Sequence, residues 1–80
     1  MLTITLYAKA GCHLCDEARD YLENAAADYE FELREVDIRR DPDLFERYRY
    51  RIPVILVNGE ERLEGRIEES DVLALFREEG

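Results

Sequence analysis

The run Pro53-Val54-Ile55-Leu56-Val57 most narrows what this chain can fold into. Consecutive apolar residues leave no polar face, so a strand built from them must be covered on both sides. Asn58-Gly59 follows at once and is the strongest hairpin signal in the sequence. It turns the run back into Glu60–Glu64, a charged stretch suited to a sheet edge. A strand buried on two faces needs helices above and below it. The 80 residues leave room for one domain, 1–80, in which to place them.

Those helices and the other strands are visible upstream and downstream. Leu2 to Tyr7 alternates apolar and polar residues, which predicts a strand with Leu2, Ile4 and Leu6 on one face. After a short connection, the spacing turns helical from His13 to Asp28. Cys15, Ala18, Tyr21, Leu22, Ala25 and Ala26 then form one stripe. Phe31 to Asp37 alternates again as a second strand. Asp41 caps a short helix with Pro42 in its first turn and Leu44, Phe45 and Tyr48 on its apolar side. Gly65 breaks the edge strand, and a last helix is expected from Glu68 to Glu78. The order β-α-β-α-β-β-α places the chain in the α/β class. A right-handed crossover makes the first two strands parallel, and the hairpin makes the last two antiparallel. A four-stranded mixed sheet flanked by helices follows.

Composition excludes several roles. Acids number 20 against 11 bases, a net charge of −9. That argues against nucleic acid, whose binders carry a basic face, and against docking to anionic lipid. No apolar run approaches the roughly 20 residues of a membrane span. The amino end lacks a basic segment followed by an apolar stretch, so no secretory signal is read there and a cytoplasmic location is expected. The one basic concentration is Arg39, Arg40, Arg47, Arg49 and Arg51. It interleaves with Asp41, Asp43 and Glu46 and reads first as a solvated helix face.

The chemistry is concentrated in Lys9-Ala10-Gly11-Cys12-His13-Leu14-Cys15. The only two cysteines sit where the first strand ends and the first helix begins. Cys12 falls at the helix N-terminus, where free N–H groups and the macrodipole favour an anion. The thiolate is the nucleophilic form of cysteine. Lowering a thiol from about 8.5 to about 6 takes roughly 3.4 kcal/mol of preference for the anion. A helix terminus supplies about a third of that. Lys9 and His13 are the cationic candidates for the remainder, whereas Asp16 and Glu17 oppose charge on the sulfurs. The expectation is a moderately depressed Cys12. Cys15, one turn on and on the apolar stripe, should be buried and remain a thiol longer. That asymmetry makes Cys12 the nucleophile and Cys15 the resolving thiol of a disulfide-exchange pair. His13 has two readings, as a partner of the Cys12 sulfur or as an exposed loop side chain.

Other readings compete. Structural zinc wants four ligands, and one chain with two Cys and one His does not fill that set without carboxylates. No metal site is therefore assigned within one chain, although a metal or iron–sulfur carrier using Cys12 across a dimer stays open. Two buried cysteines acting as small hydrophobes, or an inert disulfide, are the remaining readings. A non-catalytic adaptor working through the Arg39–Arg51 face is the alternative from a third class.

The whole arrangement resembles the thioredoxin fold in its shortest form, that of glutaredoxins. Cys12 and Cys15 match the dithiol, and Lys9 matches the lysine three residues before the first cysteine. Ile52-Pro53 matches the X-Pro before the third strand, and Gly65 the glycine before the last helix. Gly11-Cys12-His13-Leu14-Cys15-Asp16-Glu17-Ala18 is similar to a group of small bacterial glutaredoxin-like proteins. The resemblance implies a cis Ile52–Pro53 bond and an exposed Ile52 backbone that pairs with a substrate's chain. It implies a substrate-binding set of Ile52, Pro53, Gly65 and Arg66, with Lys9 and Arg66 able to accept a carboxylate. The chain departs from glutaredoxins at His13-Leu14, where Pro-Tyr or Pro-Phe is usual, and at Arg51-Ile52, where Thr-Val is frequent. It also carries Gly65-Arg66-Ile67-Glu68-Glu69 where an acidic pair usually holds the glutathione amino group. The function expected is thiol–disulfide exchange on a disulfide-containing protein or a glutathione mixed disulfide. The expected electron donor is glutathione or a thioredoxin-reductase-type flavoprotein, with no bound cofactor needed and a monomeric chain expected.

Overall fold

The computed structural model describes residues 2–79. Met1 and Gly80 lie outside them. The elements run β1 Thr3–Ala8, α1 His13–Ala25, β2 Glu32–Asp37, a 3-10 turn Ile38–Arg40, α2 Pro42–Tyr48, β3 Val54–Val57, β4 Glu60–Glu64 and α3 Glu69–Glu79. The sheet order is β2-β1-β3-β4. β1 pairs parallel with β2 and antiparallel with β3, and β3 pairs antiparallel with β4. This is the mixed α/β sheet that the element order predicts. Among the described residues no helix is long and apolar enough to cross a membrane.

Successive strand side chains point to opposite faces, so β1 and β3 each serve two cores. Ile4, Leu6 and Ala8 join Ile55 and Val57 on one face. There α1 adds Cys15, Ala18, Leu22 and Ala25, and α3 adds Val72, Leu75 and Phe76. On the other face Val54 and Leu56 pack with Ile38 and Tyr48, and Tyr7, Leu44 and Phe45 border them. All four β3 residues are buried, which is the two-sided cover that their composition demands.

The helix ends show local chemistry at work. The Asp41 carboxylate accepts N–H bonds from Asp43 at 2.9 Å and Leu44 at 3.3 Å, and Pro42 opens α2. Asp71 reaches back to the Glu68 N–H at 3.0 Å and secures the start of α3, as in a capping box. Helix α1 is shorter than its periodicity predicts. It ends at Ala25, and Ala26, Ala27 and Asp28 continue as a turn with bonds to Glu23, Asn24 and Ala25 carbonyls. Ala26 is exposed and leaves the stripe. The tightening brings Tyr29 and Phe31 onto Phe76, at ring separations of 5.0 and 4.7 Å. Burying those rings outweighs another helical turn. The 3-10 turn after β2, which periodicity does not predict, is capped by Asp37 accepting from the Arg39 N–H at 2.9 Å.

The topology gathers the functional segments. The parallel β1/β2 and antiparallel β1/β3 pairings put the ends of β1 and β2 beside the start of β3. The end of β4 joins them. α1 leaves from this end after β1, and α2 spans from β2 back to β3.

Two outcomes follow. Phe76→Ala should lower stability by about 3–5 kcal/mol, while Tyr50→Ala, at a residue 87% exposed, should change it by less than about 0.5. Denaturant midpoints measure both. The Asp37 carboxyl is held down to about 2 by the Arg39 guanidinium and then by the Arg39 N–H. Its folded value lies below the unfolded value of about 3.9. The stability it contributes is thus complete above about pH 4 and is lost as pH falls toward about 2. In Arg39→Ala, a carboxyl NMR titration should show Asp37 moving up, and acid unfolding should begin at higher pH.

Candidate active site

The dithiol sits where β1 hands over to α1. Gly11 takes a φ of +79°, a left-handed backbone that side-chain-bearing residues seldom adopt, and so turns the chain into the helix. Cys12 is the N-cap, with extended φ and ψ of −97° and 107°. Its Sγ accepts the Cys15 N–H at 3.2 Å, and its carbonyl accepts the Asp16 N–H at 3.1 Å. The sulfur therefore does the work that a Ser or Asp oxygen does at other helix starts. Cys12 and Cys15 are joined as a disulfide, with Cα atoms 5.2 Å apart. Cys12 is half-buried. Cys15 has no exposure at all and lies in the α1–α3 core. The predicted asymmetry of the pair is thus present in the geometry.

The charged neighbours are arranged differently from one another. The His13 imidazole is 86% exposed, and its Nε2 lies 2.8 Å from Glu17 Oε2. That contact directs His13 along the helix surface and favours its exposed reading. Asp16 pairs with Arg19 at 2.8 Å, and Arg19 also holds Glu35. Lys9 is half-buried in the loop before Cys12. On the α1–α3 side, the Tyr21 phenol is raised by desolvation and then by Glu17, Glu68, Glu69 and Asp20. That flank is acidic. Among the described residues no group of three or more His, Cys, Asp or Glu comes together as a metal site.

The expected wall is the segment before β3, whose first residue pairs with Tyr7 near the end of β1. The Ile52–Pro53 bond is cis. Pro53 is buried, and Ile52 is half-buried against both cores. The Gly65 N–H, at the end of β4, is shared between the Pro53 carbonyl at 2.9 Å and the Arg51 carbonyl at 3.2 Å. Gly65 therefore does adjoin Pro53, and Arg66 follows it, exposed. One implication of the resemblance changes: the Ile52 N–H is not open to a partner, because it donates to the Tyr48 carbonyl at 3.2 Å. The end of α2 folds back over this residue and claims the donor.

Residues outside the expected set hold that wall. The Arg51 guanidinium binds Glu61, and Glu64 at 2.8 Å, and lies 4.9 Å from the Tyr48 ring centroid. The Tyr48 hydroxyl donates to Glu61 at 2.6 Å. Glu61 is lowered by Tyr48 and then by Arg51, and Glu64 by Arg51. In the sequence Arg51 reads as part of a solvated basic face and as a departure from the frequent Thr-Val before this proline. Its position next to Ile52-Pro53 was the available signal, but its acidic partners lie on another strand.

The sequence model of the glutaredoxin-like domain (DUF836) matches residues 3–77. The chain belongs to the glutaredoxin-like family. Among solved structures, the glutaredoxin-like chain is similar to the protein XcR50 from X. campestris. The two share 29% identity over 94% of this chain and 96% of that one, with a TM-score of 0.78. The protein Ne2328 from Nitrosomonas europaea follows at 25% identity, coverage of 94% and 91%, and a TM-score of 0.77. The oxidised thioredoxin from Plasmodium falciparum, at 18% identity, coverage of 98% and 80% and a TM-score of 0.72, shares the fold. A thioredoxin-like fold carrying a bridged Cys-x-x-Cys pair points to redox chemistry.

Thiolate absorbance of the reduced protein gives a further test. Cys12 should ionise below the ordinary thiol value of about 8.5. His13→Ala should leave that midpoint unmoved, because Glu17 already holds the imidazole. An upward shift would instead place His13 on the sulfur.

Proposed function

We propose that this glutaredoxin-like chain is a thiol–disulfide oxidoreductase that reduces disulfides by dithiol exchange. The observation that carries the reading is the unequal pair: a half-buried cysteine at a helix N-cap and a fully buried one a turn later. In the reduced chain, the Cys12 thiolate attacks one sulfur of a substrate disulfide. An S–S bond forms to Cys12, and the other substrate sulfur leaves as a thiolate that takes a proton. Cys15 then loses its proton and attacks Cys12 Sγ. The second substrate thiol is released, and the Cys12–Cys15 disulfide closes. The substrate gains two electrons and two protons, and the chain loses them. Two thiols of glutathione, or the dithiol of a thioredoxin-reductase-type flavoprotein, return them. The cycle stores its electrons in sulfur alone and calls for no bound cofactor.

Ile52, Pro53 and Gly65 form the wall that a substrate meets, with Arg66 and Lys9 as candidates for its carboxylates. The substrates are disulfide-containing proteins or glutathione mixed disulfides, and the chain acts as a monomer in a reducing compartment such as the cytoplasm. The acidic flank supports a reading in which an approaching glutathione presents its amino group toward Glu68 and Glu69.

Cys12→Ser should abolish disulfide reduction. Cys15→Ser should still attack and then accumulate a mixed disulfide, visible by intact mass. Equal loss of trapping in both variants would refute the assignment of roles. Equilibration in glutathione buffers should give a reversible intramolecular disulfide at about −200 to −230 mV. A value near about −270 mV would favour a reductase as donor.

A further inference from the structure

The segment from Tyr48 to Pro53 carries the proposed substrate wall, yet it belongs to no strand or helix beyond Tyr48. Its backbone is held at several points. The Arg51 and Ile52 N–H groups both donate to the Tyr48 carbonyl, at 2.8 and 3.2 Å. The Gly65 N–H bridges the Arg51 and Pro53 carbonyls. The same segment carries one side chain with several partners of its own, the Arg51 guanidinium. It is two-thirds buried, lies over the Tyr48 ring and is bound to Glu61 and Glu64.

That β4 offers two carboxylates to one guanidinium is itself unusual. Residues three apart on a regular strand point to opposite faces. The β3–β4 register pairs Leu56 with Glu61, Ile55 with Leu63 and Val54 with Glu64, so Arg62 has no partner across the ladder. This bulge turns Glu61 and Glu64 to the same face as Val54 and Leu56, the face that α2 covers. Arg62 turns the other way, to Glu78 and Glu79 of α3. The bulge thus assembles a carboxylate fork opposite Arg51, and the fork geometry suits a guanidinium better than an ammonium.

We infer that Arg51 is a positioning residue. Its fork to Glu61 and Glu64 holds the 48–53 segment at one distance from the dithiol, so that Ile52 and Pro53 present a fixed main-chain edge to a polypeptide substrate. The inference rests on the proposed oxidoreductase reading. It goes beyond that reading in naming a residue that acts on substrate binding through the wall and not through the sulfurs. A further consequence is directional. With its N–H turned inward to Tyr48, Ile52 can offer an incoming chain an acceptor only, so the substrate must supply the N–H.

The test compares wild type with Arg51→Met, Arg51→Lys and Glu64→Gln in the full chain. Each is assayed, with dithiothreitol as reductant, on an oxidised polypeptide disulfide and on a small synthetic disulfide lacking amide groups. Arg51→Met should raise KM for the polypeptide about ten- to a hundredfold while leaving kcat and the small-disulfide rate near wild type. Arg51→Lys, which keeps the charge but not the fork, should restore part of the loss. Glu64→Gln, a gentler change, should move the same parameter by less. Equal losses on both substrates, or no change on either, would overturn the inference. Amide hydrogen exchange supplies a readout that needs no activity. In Arg51→Met the Ile52 and Gly65 amides should lose protection while Leu22 keeps its own. If wild type reduces neither disulfide, the oxidoreductase reading fails. Exchange then decides the clamp alone, and unchanged protection at Ile52 and Gly65 refutes it.

Discussion

The burial of β3 on both faces is the constraint from which the rest of the molecule follows. Val54, Ile55, Leu56 and Val57 have no polar side to give to water, and each buried aliphatic chain contributes about 1.5–3 kcal/mol by leaving it. The requirement is met by α1 and α3 on one face and α2 on the other. A short chain satisfies it only by reusing its strands, and Ile4 and Leu6 of β1 share a core with Ile55 and Val57 of β3. The pairing directions that allow this also bring the end of β1, the start of β3 and the end of β4 to one end of the sheet. The dithiol and the Ile52-Pro53 segment thus share one end of the sheet because of how the centre is covered.

Much of this was legible because the responsible signals are local. Alternation in β1, the apolar run of β3, the Asn58-Gly59 turn and the Asp41-Pro42 cap each act over a few residues. Their physics does not need the rest of the chain. Cys12 was legible for the same reason: a cysteine between a strand and a helical stripe can only be near the N-cap. The end of α1 was not, because what stops it is the packing of Tyr29 and Phe31 on Phe76, from an element at the far end of the chain. The Arg51 clamp was hidden for a stronger reason. Glu61 and Glu64 reach one face only because Arg62 is skipped in the ladder, and a bulge leaves no trace in an alternating charged strand. His13 admits two readings in the sequence, and its contact with Glu17, four residues on, favours the exposed one.

The electrostatics of the site are set by which acids are already occupied. A net charge of −9 opposes the formation of a thiolate. Asp16 and Glu17, the acids nearest the sulfurs in sequence, are engaged by Arg19 and His13. Arg19 is itself shared with Glu35 on β2, so the same guanidinium ties α1 to the sheet and tempers the charge beside the cap. Asp20, Glu68 and Glu69 instead make the α1–α3 flank beside Tyr21 acidic.

The cap also links redox state to helix stability. In the oxidised pair, a neutral sulfur accepts the Cys15 N–H. On reduction and ionisation the same position holds an anion, and a hydrogen bond to a charged acceptor is about twice as strong as one to a neutral acceptor. The start of α1 is therefore better capped when Cys12 is a thiolate. Whatever stabilises that thiolate stabilises the reduced chain and makes the disulfide a stronger oxidant. Cys15 does not add to this bias. With no exposure and a place in the apolar core, it favours forms in which its sulfur carries no charge, and the thiol and the disulfide both meet that condition. The core therefore withholds a thiolate from Cys15 without choosing between the reduced and oxidised forms. The potential of the pair is thus tilted by the helix terminus acting on Cys12, one turn away.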